Sequence, residues 1–161
     1  MLRAFLGVFQ RFMRVLERGT TLIRGHASSL PDHIATAQRG EDETYFYLRR
    51  NGYVVVARNW RVSGRKGEID LIAWEGDVLC FVEVKTRTSR DVKPAEAAVD
   101  SDKQKQLRGM ARSYLRRYQR TRKPGPQATP PTRFDVVSVY YDQRSGALTD
   151  IVLFRGAFAM A

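Results

Sequence analysis

Two strand-like runs near the middle of the chain constrain its fold more than any other feature of the sequence. Residues 67–75 and 78–87 are rich in β-branched and aromatic side chains, and only Gly76-Asp77 separates them. Glycine at the first position of a two-residue loop suits a type II′ hairpin turn, because it adopts positive φ without a steric clash. The runs are therefore predicted to form an antiparallel β-hairpin in which Glu75 and Val78 close the turn.

The register of this hairpin brings acidic side chains together. Counting back from the turn places Asp70 opposite Glu83 and Glu68 opposite Lys85, all on one face of the strands. Directly opposed residues have Cβ atoms roughly 4.5–5.5 Å apart, so two carboxylates repel each other unless a cation lies between them. Both acids sit within apolar runs, where unpaired charge is costly. We therefore predict that Asp70 and Glu83 bind Mg²⁺ or Mn²⁺, which prefer oxygen ligands.

A lysine beside these acids indicates the chemistry. Lys85 follows Glu83 by two residues on the same strand, and it is expected to orient or activate a water molecule beside the metal. An Asp on one strand and Glu-x-Lys on the next suit metal-assisted phosphodiester hydrolysis. The alternative from the residues alone is a surface ladder of Glu and Lys on an edge hairpin.

Composition favours a polyanionic partner. The chain has 161 residues, enough for one domain with an appendage, and its formal net charge is +11, from 28 Lys+Arg against 17 Asp+Glu. Such an excess favours nucleic acid or an anionic membrane. The single cysteine, Cys80, excludes an internal disulfide and fits a cytoplasmic protein. Both histidines, His26 and His33, fall in a predicted linker, which argues against a histidine-ligated metal.

The chain is divided at residue 40. Residues 1–39 are predicted to be an amphipathic, basic extension followed by a linker, and residues 40–161 a nuclease-like domain. Apolar residues at helical spacing in the extension are interrupted by arginine, which argues against a membrane span. Residues 1–17 could contact a membrane surface. We favour two other interpretations, a loosely ordered extension or a translation start placed too early.

The domain reads as alternating helices and strands. Glu41 would lie in the first turn of the first helix, where the helix dipole favours a carboxylate. A short helix is predicted near residues 95–99, and Asp100 or Ser101 is predicted to cap a longer one. The main elements expected are helix 41–50, strand 53–61, the hairpin, helix 101–119, strand 133–141 and strand 148–154.

The long helix carries a basic face without acidic partners. Nine basic and no acidic residues lie between Lys103 and Lys123, so phosphate contact competes with the alternative of a merely solvated face. Lys103 instead projects toward the buried side; it would approach the catalytic face or pack at the helix entrance. The residues predicted to bind nucleic acid are Arg58, Arg61, Arg87, Lys103, Lys105, Arg108, Arg112 and Arg116.

Several short motifs carry a family resemblance. In chain order they are Gly40-Glu41, Tyr47-Leu48, Arg58-Asn59, residues 67–73, residues 81–85 and Arg133-Phe134-Asp135-Val136. Together they resemble the bacterial YraN-like family of small predicted endonucleases over residues 40–158. That family is similar to the PD-(D/E)XK, restriction-endonuclease-like superfamily, which includes archaeal Holliday junction resolvases. Thr44, where the family usually has alanine, and Val92-Lys93, in place of an aromatic-glycine pair, depart from the pattern.

The resemblance implies an α/β fold, a mixed central β-sheet flanked by helices in the order αβββαβ. It also implies that Asp70, Glu83 and Lys85 are catalytic, with Glu41 as a further catalytic and metal-binding acid. The expected function is Mg²⁺- or Mn²⁺-dependent hydrolysis of nucleic acid, with DNA, including branched DNA, as the leading substrate. A catalytically silent nucleic-acid-binding module of the same fold is the alternative, and a homodimer is an open question.

Overall fold

The computed structural model describes residues 32–88, 99–121 and 129–160. The predicted amphipathic segment and the short helix predicted from residue 95 fall outside these ranges. The described elements are α1 (Asp32–Arg50), β1 (Val54–Trp60), β2 (Ile69–Glu75), β3 (Val78–Arg87), α2 (Ser101–Arg120), β4 (Thr132–Tyr141) and β5 (Leu148–Phe158). Neither of these helices has the length and apolarity that crossing a membrane requires.

One five-stranded sheet organises the domain. Its strands lie in the order β1-β2-β3-β4-β5, and all neighbours are antiparallel except β3 and β4, which run parallel. The long helix α2 connects the two parallel strands, as such a crossover requires. The predicted α/β fold and the order αβββαβ are confirmed, with β5 added at one edge.

The central hairpin has the predicted register. Glu75 pairs with Val78 at the turn, and the pairing continues to Leu71 and Val82. Gly76 has φ 57°, the positive value that a glycine-first hairpin turn needs. The hairpin lies at the centre of the domain, since residues 69–73 and 79–83 are all buried.

The two helices cover opposite faces of the sheet. Phe81 of β3 belongs to an apolar cluster with Leu107, Met110 and Ala111 of α2, whereas Val82 belongs to a second cluster with Leu48 of α1. Asp100 caps α2 as predicted, because its carboxylate accepts a hydrogen bond from the Lys103 backbone N–H at 2.8 Å.

The first helix begins earlier than predicted. α1 starts at Asp32, so residues 32–39 are helical rather than linker, and Gly40 lies inside the helix. The sequence suggested a boundary at Gly40, but this glycine serves a tertiary contact: a Cβ there would lie 2.0 Å from Thr86 Oγ1 on β3. The departure at Thr44 is accommodated in the same place, because its buried hydroxyl donates to the Gly40 carbonyl at 2.8 Å.

An ionic network braces the turn end of the sheet. Arg133 of β4 donates two hydrogen bonds to the fully buried Asp135, at 2.7 and 2.9 Å, and one to Glu75 at 2.5 Å. Arg155 of β5 also donates to Glu75, and the Gly156 N–H donates to Asp135. The Arg-Phe-Asp-Val motif therefore joins β2, β4 and β5, and it leaves the opposite ends of the strands free for other groups.

We expect Gly40→Ala to destabilise the domain by roughly 1–3 kcal/mol, because the added methyl group overlaps Thr86. Combining it with Thr86→Ala removes the overlapping hydroxyl and should recover most of the loss. Chemical denaturation of the two single variants and the double variant measures this coupling. Purely additive losses would show that Gly40 is not required for the approach of α1 to β3.

Candidate active site

The two predicted metal ligands meet at the end of the hairpin that lies away from its turn. Asp70 is 8 % exposed and Glu83 is 4 % exposed. Continuing the register from Leu71 and Val82 places them opposite each other, on the face covered by α2. Asp70 Oδ2 accepts a hydrogen bond from the Val84 backbone N–H at 2.7 Å. The carboxylate thus satisfies a β3 backbone donor just beyond the paired part of the two strands.

Two lysines flank one oxygen of Glu83. Lys85 Nζ lies 3.0 Å and Lys103 Nζ 3.1 Å from Glu83 Oε1. Lys103 therefore approaches the carboxylate pair, the first of its two predicted placements. The other oxygen, Glu83 Oε2, is buried without a hydrogen-bond partner in the described structure. Buried polar atoms are rarely left so, and this oxygen could bind a further cation.

The electrostatics of Asp70 show that the pair is incompletely neutralised. Burial, and next the neighbouring negative charge of Glu83, raise the pKa of Asp70 to about 7. The Val84 N–H and the Lys103 ammonium act in the opposite direction without cancelling this effect. A divalent cation would favour both ionised carboxylates, and carboxylate oxygens suit Mg²⁺ or Mn²⁺. Asp70 and Glu83 therefore fit such an ion.

The third predicted acid lies beside this pair. Across the described ranges, no three or more His, Cys, Asp or Glu side chains form a group that could hold a metal. Glu41 is half-buried, and its charge contributes to the raised pKa of Asp70. It sits in the interior of α1 rather than in the first turn, so the helix dipole does not account for an acid there. That structural explanation from the sequence was wrong.

Asn59 holds Glu41 and was missed as a site residue. Burial raises the pKa of Glu41, whereas a hydrogen bond from the Asn59 side chain lowers it. Asn59 has φ 47°, the one positive value at a non-glycine residue within the described ranges. Asparagine tolerates this left-handed conformation better than most residues. The sequence signal was a polar asparagine within an otherwise plausible strand, next to Arg58 and Trp60.

Glu68 has a different partner from the one expected. It precedes β2 and lies outside the strand pairing. Its Oε2 accepts a hydrogen bond from Arg61 Nε at 2.8 Å and forms an ion pair with Arg61 Nη2 at 2.7 Å. Lys85 pairs instead with Glu83 on its own strand. The expected opposition of Glu68 and Lys85 is therefore absent from the described strand pairing.

The basic residues predicted to bind nucleic acid have different surroundings. Three contact other elements of the chain: Arg58 pairs with Asp42, Arg61 pairs with Glu68, and Arg108 donates to the Ala159 carbonyl at 2.9 Å. Lys105, Arg112 and Arg116 are exposed on α2, as a phosphate-binding face requires. Arg87, at the end of β3, is half-buried, and its Nε lacks a hydrogen-bond partner among the described residues.

Comparison with known proteins places the chain in a family. The model of the uncharacterised protein family UPF0102 matches residues 40–139, a span that holds the carboxylate pair, both lysines and Asn59. The chain belongs to UPF0102. The resemblance to the YraN-like family is thereby confirmed.

Curated UPF0102 proteins match most of the chain. A UPF0102 protein of Koribacter versatilis is 46% identical over 131 residues, 81% of this chain and 84% of the relative. Another from Solibacter usitatus is 47% identical over 119 residues, 74% of this chain and 82% of the relative. A third, from Dictyoglomus thermophilum, is 36% identical over 119 residues and is covered to 92% of its length. The UPF0102 relationship therefore extends over more than four fifths of the length of each of these relatives.

We expect Asp70→Asn to stabilise the domain more at pH 8 than at pH 5. The folded pKa of Asp70, about 7, lies above its ordinary value of 3.8, so ionisation costs folding stability as pH rises through this range. The amide removes that cost, and each kcal/mol gained should raise the melting temperature by about 2–4 °C.

Thermal unfolding in EDTA at both pH values measures this difference. Asp77→Asn is the matched control, because Asp77 is exposed in the hairpin turn. A lower melting temperature for Asp70→Asn at pH 8 would contradict the raised pKa.

Proposed function

We propose that this UPF0102 protein is a metal-dependent nuclease that hydrolyses phosphodiester bonds in nucleic acid, with DNA, including branched DNA, as its substrate. The observation that carries the proposal is the buried pair Asp70 and Glu83. One oxygen of Glu83, Oε2, has no hydrogen-bond partner among the described residues, and Lys85 and Lys103 both contact its other oxygen, Oε1. Oε2 is therefore left for a further cation.

Asp70 and Glu83 would hold Mg²⁺ or Mn²⁺, with Glu41 beside them as the further acid. Such an ion, when bound, supplies charge neutralisation at the scissile phosphate and lowers the pKa of a bound water. Asn59 would hold the Glu41 carboxylate in place, because its side chain lies within hydrogen-bonding reach of that carboxylate.

The two lysines supply positive charge from the chain itself. Their ammonium groups lie about 3 Å from Glu83 Oε1 and are partly exposed, so they can reach an incoming phosphate. In hydrolysis a water oxygen bonds to phosphorus, one P–O ester bond breaks, and the departing oxygen takes up a proton. Lys85 would position the attacking water, and both lysines would stabilise the negative charge that builds on the phosphate oxygens.

We expect Asp70→Asn and Glu83→Gln to abolish cleavage while affinity for DNA stays the same or rises, since each removes a negative charge near phosphate. Lys85→Ala should lower turnover about 100-fold or more and weaken binding only slightly. The assay uses labelled linear, flapped and four-way DNA with Mg²⁺ or Mn²⁺. Asp77→Asn is the matched control, and full activity of the Asp70→Asn protein would contradict the proposed site.

Asn59 offers a test of Glu41 that does not touch a carboxylate. Asn59→Gly keeps the left-handed backbone open and deletes the hydrogen bond to Glu41, so it should raise the Mn²⁺ concentration needed for half-maximal cleavage, as Glu41→Gln should. A purely structural role would change stability and leave the metal requirement unaltered. The comparison therefore separates positioning of Glu41 from support of the fold.

A catalytically silent binding module is the second candidate. Two observations favour it: Glu83 Oε1 is already paired with both lysines, and the described residues offer a pair rather than a triad of donors. If the protein is such a module, the wild type and the Asp70→Asn variant should bind DNA equally well. Neither protein should cut any substrate with Mg²⁺ or Mn²⁺. That combined outcome would replace the nuclease proposal.

A further inference from the structure

A groove of about 880 Å³ lies on the surface away from the carboxylate pair. One wall is formed where the chain leaves β1, with Trp60 and Arg61, and the other by the second half of α2. Trp60 packs edge-on against Tyr114 of α2, with ring centroids 5.3 Å apart, which fixes the two walls relative to each other. The groove is therefore built from packed elements.

The groove is basic. Arg61, Arg116, Arg117 and Arg120 line it, and the described lining includes no carboxylate. Arg61 is paired with Glu68. The three arginines of α2 are exposed, and the one acid of that helix, Asp102, lies far from them in its first turn. Guanidinium groups match phosphate oxygens in geometry and remain charged at any physiological pH.

A docked basic loop lies between the groove and the carboxylate pair. Gln106 of α2 donates to the Lys66 carbonyl at 2.8 Å, and a Cβ at Gly67 would lie 2.3 Å from the same amide. The Arg65 guanidinium approaches Gly109 one turn further along α2. Arg65 therefore places positive charge along α2 between Lys103 and the groove.

We infer that this groove binds the phosphodiester backbone of a nucleic acid, and the identity of that ligand as the substrate rests on the proposed function. Lys103 lies 13 residues before Arg116 and 17 before Arg120 on α2, so the groove is roughly 20–25 Å along the helix from the carboxylate pair. That span corresponds to about 6–7 base pairs of duplex. The groove would thus give the substrate a second contact with the protein, beside the edge strand β1.

Trp60 provides a local reporter for this binding. Trp60 and Trp74 are the two tryptophans of the chain, so Trp74→Phe leaves a single tryptophan in the groove wall. Titration with 20-base-pair duplex DNA in EDTA, where metal-dependent cleavage cannot occur, should change its fluorescence to saturation. Matched titrations with duplex RNA and single-stranded DNA identify which nucleic acid is preferred.

Removing the three arginines of α2 tests the contact itself. In that background Arg116→Gln, Arg117→Gln and Arg120→Gln together should weaken DNA binding at least about tenfold and reduce the salt slope of log affinity by about 2.7, or 0.9 per phosphate contact. The matched control removes three exposed arginines elsewhere, through Arg49→Gln, Arg50→Gln and Arg144→Gln. It should lose much less affinity and keep the salt slope nearly unchanged.

Length dependence gives an independent readout. As the duplex is lengthened, its affinity for the protein should rise steeply until it spans both the carboxylate pair and the groove. The variant that lacks Arg116, Arg117 and Arg120 should not show this rise. Equal losses in the α2 and control variants, or a silent Trp60 on binding of DNA, would overturn the inference. So would a Trp60 response to phosphatidylserine vesicles with none to nucleic acid.

The groove and the nuclease proposal fail separately. A Trp60 response that depends on the three arginines, in a protein that cleaves nothing, supports the groove and removes the nuclease. Cleavage that depends on Asp70, in a protein whose Trp60 stays silent, supports the nuclease and removes the groove.

Discussion

The repulsion between two buried carboxylates is the constraint on which the rest of the site depends. Asp70 and Glu83 are opposed on adjacent strands and nearly inaccessible to water, so every charge around them matters more than it would at the surface. Two lysines and one backbone N–H offset part of the cost. The raised pKa of Asp70 shows that the offset is incomplete. A fold that keeps such a pair stores electrostatic strain at one place, as functional sites often do.

The fold holds this strain on rigid elements. The hairpin is buried on both faces, and the Arg133 network fixes its turn end. At the other end the pairing of β2 with β3 stops, and the carboxylate of Asp70 replaces the next backbone acceptor. Lys103 reaches the pair because Asp100 fixes the start of α2 there. The site therefore combines strand ends and a helix start, which can be held more accurately than a loop.

Local rules predicted the hairpin, and tertiary contacts explain the errors. A two-residue turn allows one register, so the opposition of Asp70 and Glu83 followed from the sequence alone. The start of α1 did not, because Gly40 signals a helix boundary locally but serves the approach to Thr86. The contact of Asn59 with Glu41 and the partner of Glu68 depend on how separate elements pack. No periodicity in the sequence encodes them, nor does it encode the groove beside Trp60.

Binding of Mn²⁺ measured by its effect on stability tests the central claim most directly. Mn²⁺ at about 100 times its dissociation constant should stabilise the wild type by about 2.7 kcal/mol, which corresponds to roughly 5–11 °C in melting temperature. The variant that combines Asp70→Asn with Glu83→Gln should show no rise, whereas Asp77→Asn should respond like the wild type. An equal rise in the double variant, or no rise in the wild type, would contradict a cation site between the two carboxylates.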